Sequence, residues 1–290
     1  MKKKILFLLI ISIITITLTT GCFNSDKLDG SNITTTVYPV EYIVTRLYGD
    51  RSNISSIYPN ETKVEEYELT EKQLNDYSKK TTLFVYNGLT NEKEIAKTLI
   101  NKNKNIQIID VSYGLKYKYG IEELWLNPNN YLMLANTIKN ELEDLSSSKY
   151  AAEKIEENYN KLQEDLTTLD AELRNIAKAA IKNNNATIVI AYDTFGFLEK
   201  YGFNVINISS ENNITSNIKN KFKDKTYKQI FVDDKKNVSD SIKDLVDNYD
   251  AELIEINTMS TLTDKQRANN DNYLNIMNDF ITNLSNVVLN

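Results

Sequence analysis

Cys22 is the single cysteine of the chain, and its setting defines its chemistry. Lys2, Lys3 and Lys4 form a basic start, residues 5–18 are largely apolar, and Thr19-Thr20-Gly21 lead into the cysteine. An apolar span of about 14 residues is short of the roughly 20 that a membrane-crossing helix needs, so it reads as the core of an export signal. A lone cysteine in an exported chain makes no internal disulfide. Directly behind such a signal, its thiol is placed for diacylglycerol attachment followed by cleavage before Cys22. Leu18 stands one position earlier than the leucine usual at such a site. The expectation is a lipoprotein signal peptide over residues 1–21 and a polar tether over residues 22–32. Cys22 would then join the chain to membrane lipid on the extracytoplasmic face of a bacterial cell membrane.

The remaining chemistry is mostly oxygen chemistry. There is no histidine, and lipidation would consume the thiol. No strained nucleophile turn or phosphate-cradling glycine loop is present, so no catalytic residue is assigned and an enzyme is not expected. Only four arginines occur, Arg46, Arg51, Arg174 and Arg267. Acidic residues outnumber basic ones, 40 to 34, and losing the three signal lysines would take the net charge from -6 to -9. Such a surface argues against a nucleic-acid partner and suits cationic ligands weakly.

The elements that must position any site come from the hydrophobic pattern. Between Pro128 and Gly196 there is neither glycine nor proline. Within that stretch Ile155, Tyr159, Leu162, Leu166, Leu169, Leu173 and Ile176 recur at steps of four and three, one apolar stripe on a helix over residues 147–182. Ser146 to Ser148 can cap its start, and Asn183 to Asn185 can stop it. At 1.5 Å per residue it is roughly 50 Å long. The same steps fit a dimeric coiled coil, but strand–helix alternation on both sides favours an intramolecular spine within a monomer. Before it, strands are expected over 33–37, 54–57, 83–86 and 106–111, with helices over 39–47, 71–78, 92–100 and 130–145. After it, strands are expected over 187–191, 205–208, 229–232 and 252–256, with helices over 195–201, 214–222, 238–249 and 271–289. The fold class is therefore α/β: two lobes with mostly parallel sheets, joined by one long backbone helix. The lobes span 33–145 and 184–290, with the connecting helix over 146–183. Ligands of such sheets bind beyond the carboxyl ends of the strands. The loops after Val37, Ile57, Val111, Ala191 and Ile256 are where a site is expected.

Six segments in this order resemble one family. They are Val37-Tyr38-Pro39, Tyr67-Glu68-Leu69-Thr70, residues 83–89, Leu124-Trp125-Leu126-Asn127-Pro128, Asp193-Thr194-Phe195-Gly196-Phe197-Leu198, and residues 271–277. Together they resemble the metal-binding solute-binding lipoproteins of zinc and manganese ABC importers, the ZnuA/TroA type. The resemblance covers nearly the whole mature chain. It implies a helical-backbone metal receptor that serves an importer permease and carries a divalent metal ion in a cleft between the lobes.

Family members use two or three histidines and one or two carboxylates for that ion, and here the pattern breaks. Carried over one at a time, Glu65 and Glu123 replace two histidines. Tyr192 replaces a histidine or glutamate. The last carboxylate falls on Asn257, or on Thr258 if the loop slips by one. Asp193 keeps the family's aspartate, with capping of the following helix as its alternative role. Trp125, the only tryptophan, is expected to pack below the cleft. The long histidine-rich loop of the family is missing around residues 113–121. Zinc held by nitrogen or sulfur is excluded by composition, and a site of Glu65, Glu123, Tyr192, Asp193 and Asn257 would favour a harder cation such as Mn²⁺. Two functions stay open: an importer's receptor with an oxygen-rich cleft, and a paralogue that has abandoned metal and serves as a surface adhesion or interaction lipoprotein. An anionic chelate such as a siderophore would lack an arginine clamp at these positions.

Overall fold

The computed structural model describes residues 25–289. Cys22 and the signal segment, and with them the lipid anchor, lie outside the described residues.

The first lobe alternates strand and helix: β1 (Asn32–Thr35), α1 (Tyr38–Tyr48), β2 (Asn53–Ser56), α2 (Glu71–Lys80), β3 (Leu83–Tyr86), α3 (Glu92–Lys102) and β4 (Gln107–Asp110). Its sheet has the order β2-β1-β3-β4, and every pair is parallel. All four residues of β3 are buried, as a central strand covered on both faces requires. The second lobe repeats this order with β5 (Thr187–Ile190), β6 (Asn204–Asn207), β7 (Gln229–Val232) and β8 (Glu252–Glu255), paired β6-β5-β7-β8 and again parallel. Each sheet winds outward in both directions from its first strand, which opens a crevice at the carboxyl ends of the central strands.

Between the sheets run α4 (Glu123–Leu126), α5 (Pro128–Leu145) and α6 (Lys149–Lys182). Pro128 opens α5, where a missing N–H costs nothing, and the Asn127 side chain accepts from Asn129 N. α6 begins two residues later than the apolar pattern suggests, because Ser148 caps it by accepting from Ala151 N. Its stripe of Ile155, Tyr159, Leu162, Leu166, Leu169 and Leu173 is buried, and Ala177 and Ala180 extend it. α6 packs on α1 and α5 from one side of the chain and on α10 (Tyr273–Leu289) from the other. One continuous core therefore runs through both lobes, from Leu28 to Val288, and a smaller core fills the far side of the second sheet under α7 (Ser216–Lys223) and α8 (Asp240–Tyr249).

Three features depart from expectation. Residues 26–31 are not a tether: Leu28 is buried, and the enclosed Asp26 carboxylate accepts from Ser147 N at 2.9 Å, Ser148 N at 3.2 Å, Tyr48 Oη at 2.9 Å and the Ser146 hydroxyl. Residues 193–201 form a run of 3-10 turns that ends on left-handed Gly202. A short helix, α9 (Asp264–Ala268), is held by a reciprocal cap between Thr263 and Gln266.

Candidate metal centre in the cleft

The carboxyl ends of the two sheets face one another across a cavity of about 370 Å³. Its walls come from residues 62–66 after β2, Glu122 after β4, Tyr192 after β5, Asp233, Asp234 and Asn237 after β7, and residues 257–261 after β8. Glu65 reaches the cavity from an exposed loop, and Tyr192 and Asn257 line it half-buried. Asn257 also works locally. Its Oδ1 accepts from Met259 N at 2.7 Å, which steadies Met259 in the left-handed region at φ 62°.

Glu123 does not line the cavity; Glu122 does. Glu123 is the first residue of α4, and consecutive residues of a helix turn by about 100° around its axis. Its carboxylate instead accepts from Lys118 N at 2.9 Å and Tyr119 N at 3.2 Å and closes the preceding loop. Glu122 is only 4% exposed. Its Oε1 accepts from Tyr192 Oη at 2.8 Å and its Oε2 from Thr194 Oγ1 at 2.8 Å. Burial first, then the charges of Glu122, Asp233 and Glu65, hold the Tyr192 phenol well above its ordinary pKa. Without a cation beside it, Tyr192 is therefore neutral and donates to Glu122.

Asp193 points out of the cleft and ties the 3-10 segment to the loop after β6. It accepts from Asn207 Nδ2 at 2.8 Å and Ser209 Oγ at 2.5 Å, and these bonds keep its carboxyl below the usual aspartate range. Trp125 is buried beneath the cleft, and its Nε1 donates to Thr258 O at 2.6 Å across the lobes. Below it lies a small apolar cavity of about 80 Å³ whose wall includes Glu65 and the fully buried Glu92.

Asp233 and Asp234 were not anticipated, although they follow directly on the buried strand Gln229-Ile230-Phe231-Val232 and so sit at a carboxyl end like the other wall residues. The crowded cleft wall desolvates the Asp233 carboxyl and raises its pKa, and the neighbouring charges of Asp234 and Glu255 add to the rise. The cavity thus carries Glu65, Glu66, Glu122, Asp233 and Asp234 against a single lysine, Lys63, which pairs with Glu66 at 3.7 Å. No imidazole or thiol lines it. Among the described residues no three acidic side chains converge closely enough to grip a metal ion as they stand. The donor set is carboxylate, amide and hydroxyl oxygen, which fits a hard cation.

Two parallel-sheet lobes, a single long helix behind them and a polar cleft between the strand ends define a two-lobed α/β fold with a helical backbone. Residues 33–287 match the family described as zinc-uptake complex component A, periplasmic, and the chain belongs to that family. A Thermotoga maritima protein provisionally described as metal-binding is 26% identical over 209 residues, covering 72% of this chain and 71% of that one. The metal-dependent lipoprotein YcdH of Bacillus subtilis superposes with a TM-score of 0.74 at 20% identity, covering 90% of this chain and 100% of that one. The Zn(II)-bound ZnuA-like domain of Streptococcus pneumoniae AdcA superposes with a TM-score of 0.71 at 21% identity, covering 89% and 98%. At such identities these structures speak for the fold.

Proposed function

We propose that this chain is the receptor of an ABC importer for a divalent cation, tethered to the membrane by lipid on Cys22. The cation is its cargo, bound by oxygen. The reading is carried by the cleft wall: five carboxylates and one lysine line the cavity in which a member of this family would hold its ion, with no imidazole or thiolate among them. Glu65, Glu122 and Asp233 supply the charge, and Asn257 can add an amide oxygen. Facing carboxylates repel, and a cation drawn between them relieves that repulsion. Mn²⁺ suits such a donor set better than Zn²⁺. Calorimetry with Mn²⁺ and Zn²⁺ tests this on the wild type and on Glu65→Gln/Glu122→Gln. Submicromolar Mn²⁺ binding, lost in the double variant, is the expected result.

A second reading has one observation in its favour. Both oxygens of Glu122 already accept protein hydroxyls, and no ready-made grip of three acids stands in the cleft. A chain that had kept the fold and become a surface adhesion or interaction lipoprotein would look the same here. The absence of Mn²⁺ heat with wild-type protein would select that reading.

A further inference from the structure

The loop that ends in Glu122 and the segment that follows β5 belong to different lobes, and each carries a glycine where they touch. A Cβ at Gly120 would lie 1.8 Å from Thr194 Oγ1 and 3.0 Å from Glu122 Oε2. A Cβ at Gly196 would lie 2.4 Å from the ring of Tyr119. Neither position admits a side chain without moving its neighbour. Through these two gaps the segments interlock, and the Tyr119 hydroxyl also bonds Glu199.

Inside this clasp Thr194 is 1% exposed and reaches Glu122 Oε2, while Tyr192 reaches Oε1. One donor on each oxygen leaves one lone pair on each for a ligand. The Glu122 carboxylate is therefore fixed in direction and still able to coordinate. Both hydroxyls come from the second lobe and the carboxylate from the first, so that direction exists only while the lobes stay together.

We infer that Tyr192 and Thr194 are positioning residues that brace the Glu122 carboxylate from the opposite lobe toward a divalent cation, and that Gly120, in the lobe of Glu122, keeps open the space through which Thr194 reaches it. This rests on the receptor reading above. A braced carboxylate loses less freedom when it binds, which is how hydrogen-bonded partners behind a ligand raise metal affinity. It also ties cargo retention to lobe apposition: parting the lobes at residues 119–122 and 192–196 removes the brace.

The test is Mn²⁺ calorimetry on the mature chain with Thr194→Val, Thr194→Ser, Tyr192→Phe and Gly120→Ala. Thr194→Val keeps the shape and removes the hydroxyl, and Thr194→Ser retains it. The affinity should fall about 10- to 100-fold in Thr194→Val and Tyr192→Phe. Gly120→Ala should match Thr194→Val, and Thr194→Ser should return to the wild-type value. Trp125 fluorescence reports whether the lobe contact survives, since its indole bonds the second lobe. If Thr194→Val disturbs that signal, Tyr192→Phe decides the matter, because it removes one oxygen from a half-buried ring. Wild-type binding that is indifferent to Thr194→Val and Tyr192→Phe overturns this assignment alone. No binding by the wild type overturns the receptor reading and this assignment with it.

Discussion

Glu92 is wholly enclosed beneath the cleft, where its carboxylate accepts from Asn87 N at 2.8 Å and faces the Tyr58 hydroxyl at 3.4 Å. Burial raises its pKa from 4.5 to about 7, against the hydrogen bonds that pull the other way. The folded state therefore holds its proton more tightly than the unfolded chain does. The stability contributed by the neutral form is complete below about pH 4.5 and is lost as pH rises through about 7. Glu92→Gln keeps an acceptor and cannot ionise. Its stability relative to wild type should grow by up to about 3 kcal/mol between pH 4.5 and 8, read from urea unfolding at a series of pH values. A pH-independent gap would show that the carboxyl titrates normally. The residue scale is also where the sequence was hardest to read. Glu122 and Glu123 are chemically identical neighbours, and the start of α4 decides which one faces the cleft. Helix boundaries are uncertain by a residue or two in any sequence-based reading. Asp233 was within reach, since the rule that pointed to the other strand ends applies equally to β7.

At the scale of elements, the periodic parts were legible and the pinned parts were not. The α6 stripe and the eight strands follow from spacing alone, because burial on one face or two imposes a period on the sequence. The segment 26–31 carries no period. It is fixed by an aspartate whose partners Ser146, Ser147 and Ser148 lie about 120 positions away, as their sequence separations show. Burial works to raise the pKa of Asp26, but hydrogen bonds from Ser146, Leu28, Tyr48 and Ser147 outweigh it and lower the carboxyl below its ordinary value. Its contribution to stability is therefore present above the unfolded pKa and lost as pH falls through the folded one. Asp26→Ala would leave the N–H of Ser147 without its acceptor at the entry to α6, and the N–H of Ser148 with only the Ser146 hydroxyl at 3.3 Å. A cost of about 2–3 kcal/mol at pH 7 is expected, shrinking in acid, with faster amide exchange in the first turn of α6. An unchanged urea midpoint would mean that the segment is the tether its composition suggests. Inside α6, Leu162→Pro and Leu169→Pro together should unfold both lobes, since each proline costs about 3 kcal/mol or more and a domain holds only about 5–15. Near-ultraviolet circular dichroism would register the loss.

For the whole molecule, the question is whether two sheets joined by a helix behave as two bodies or one. A hinged receptor would have separate cores and a polar seam. Here the core is shared: Tyr273 of α10 stacks on Tyr131 of α5 at 4.0 Å between ring centres and donates to Trp125 O at 2.6 Å. The seam adds a two-pronged ion pair, Arg267 to Glu41 at 2.7 Å on both prongs, and backbone bonds from Tyr38 N to Ser260 O and from Glu61 N to Leu262 O. Parting the lobes would expose buried aromatic surface and strand these polar groups, so opening and unfolding draw on the same contacts. Calorimetric unfolding should give one transition whose van't Hoff and calorimetric enthalpies agree. Trp125→Phe, which removes the indole donor to Thr258 O and keeps the aromatic face, should lower the stability by about 1 kcal/mol without splitting the transition. Small-angle scattering should show the same radius of gyration with and without Mn²⁺. Two resolved transitions, or a marked contraction on adding the ion, would mean that the lobes move as separate bodies and that α6 is a hinge.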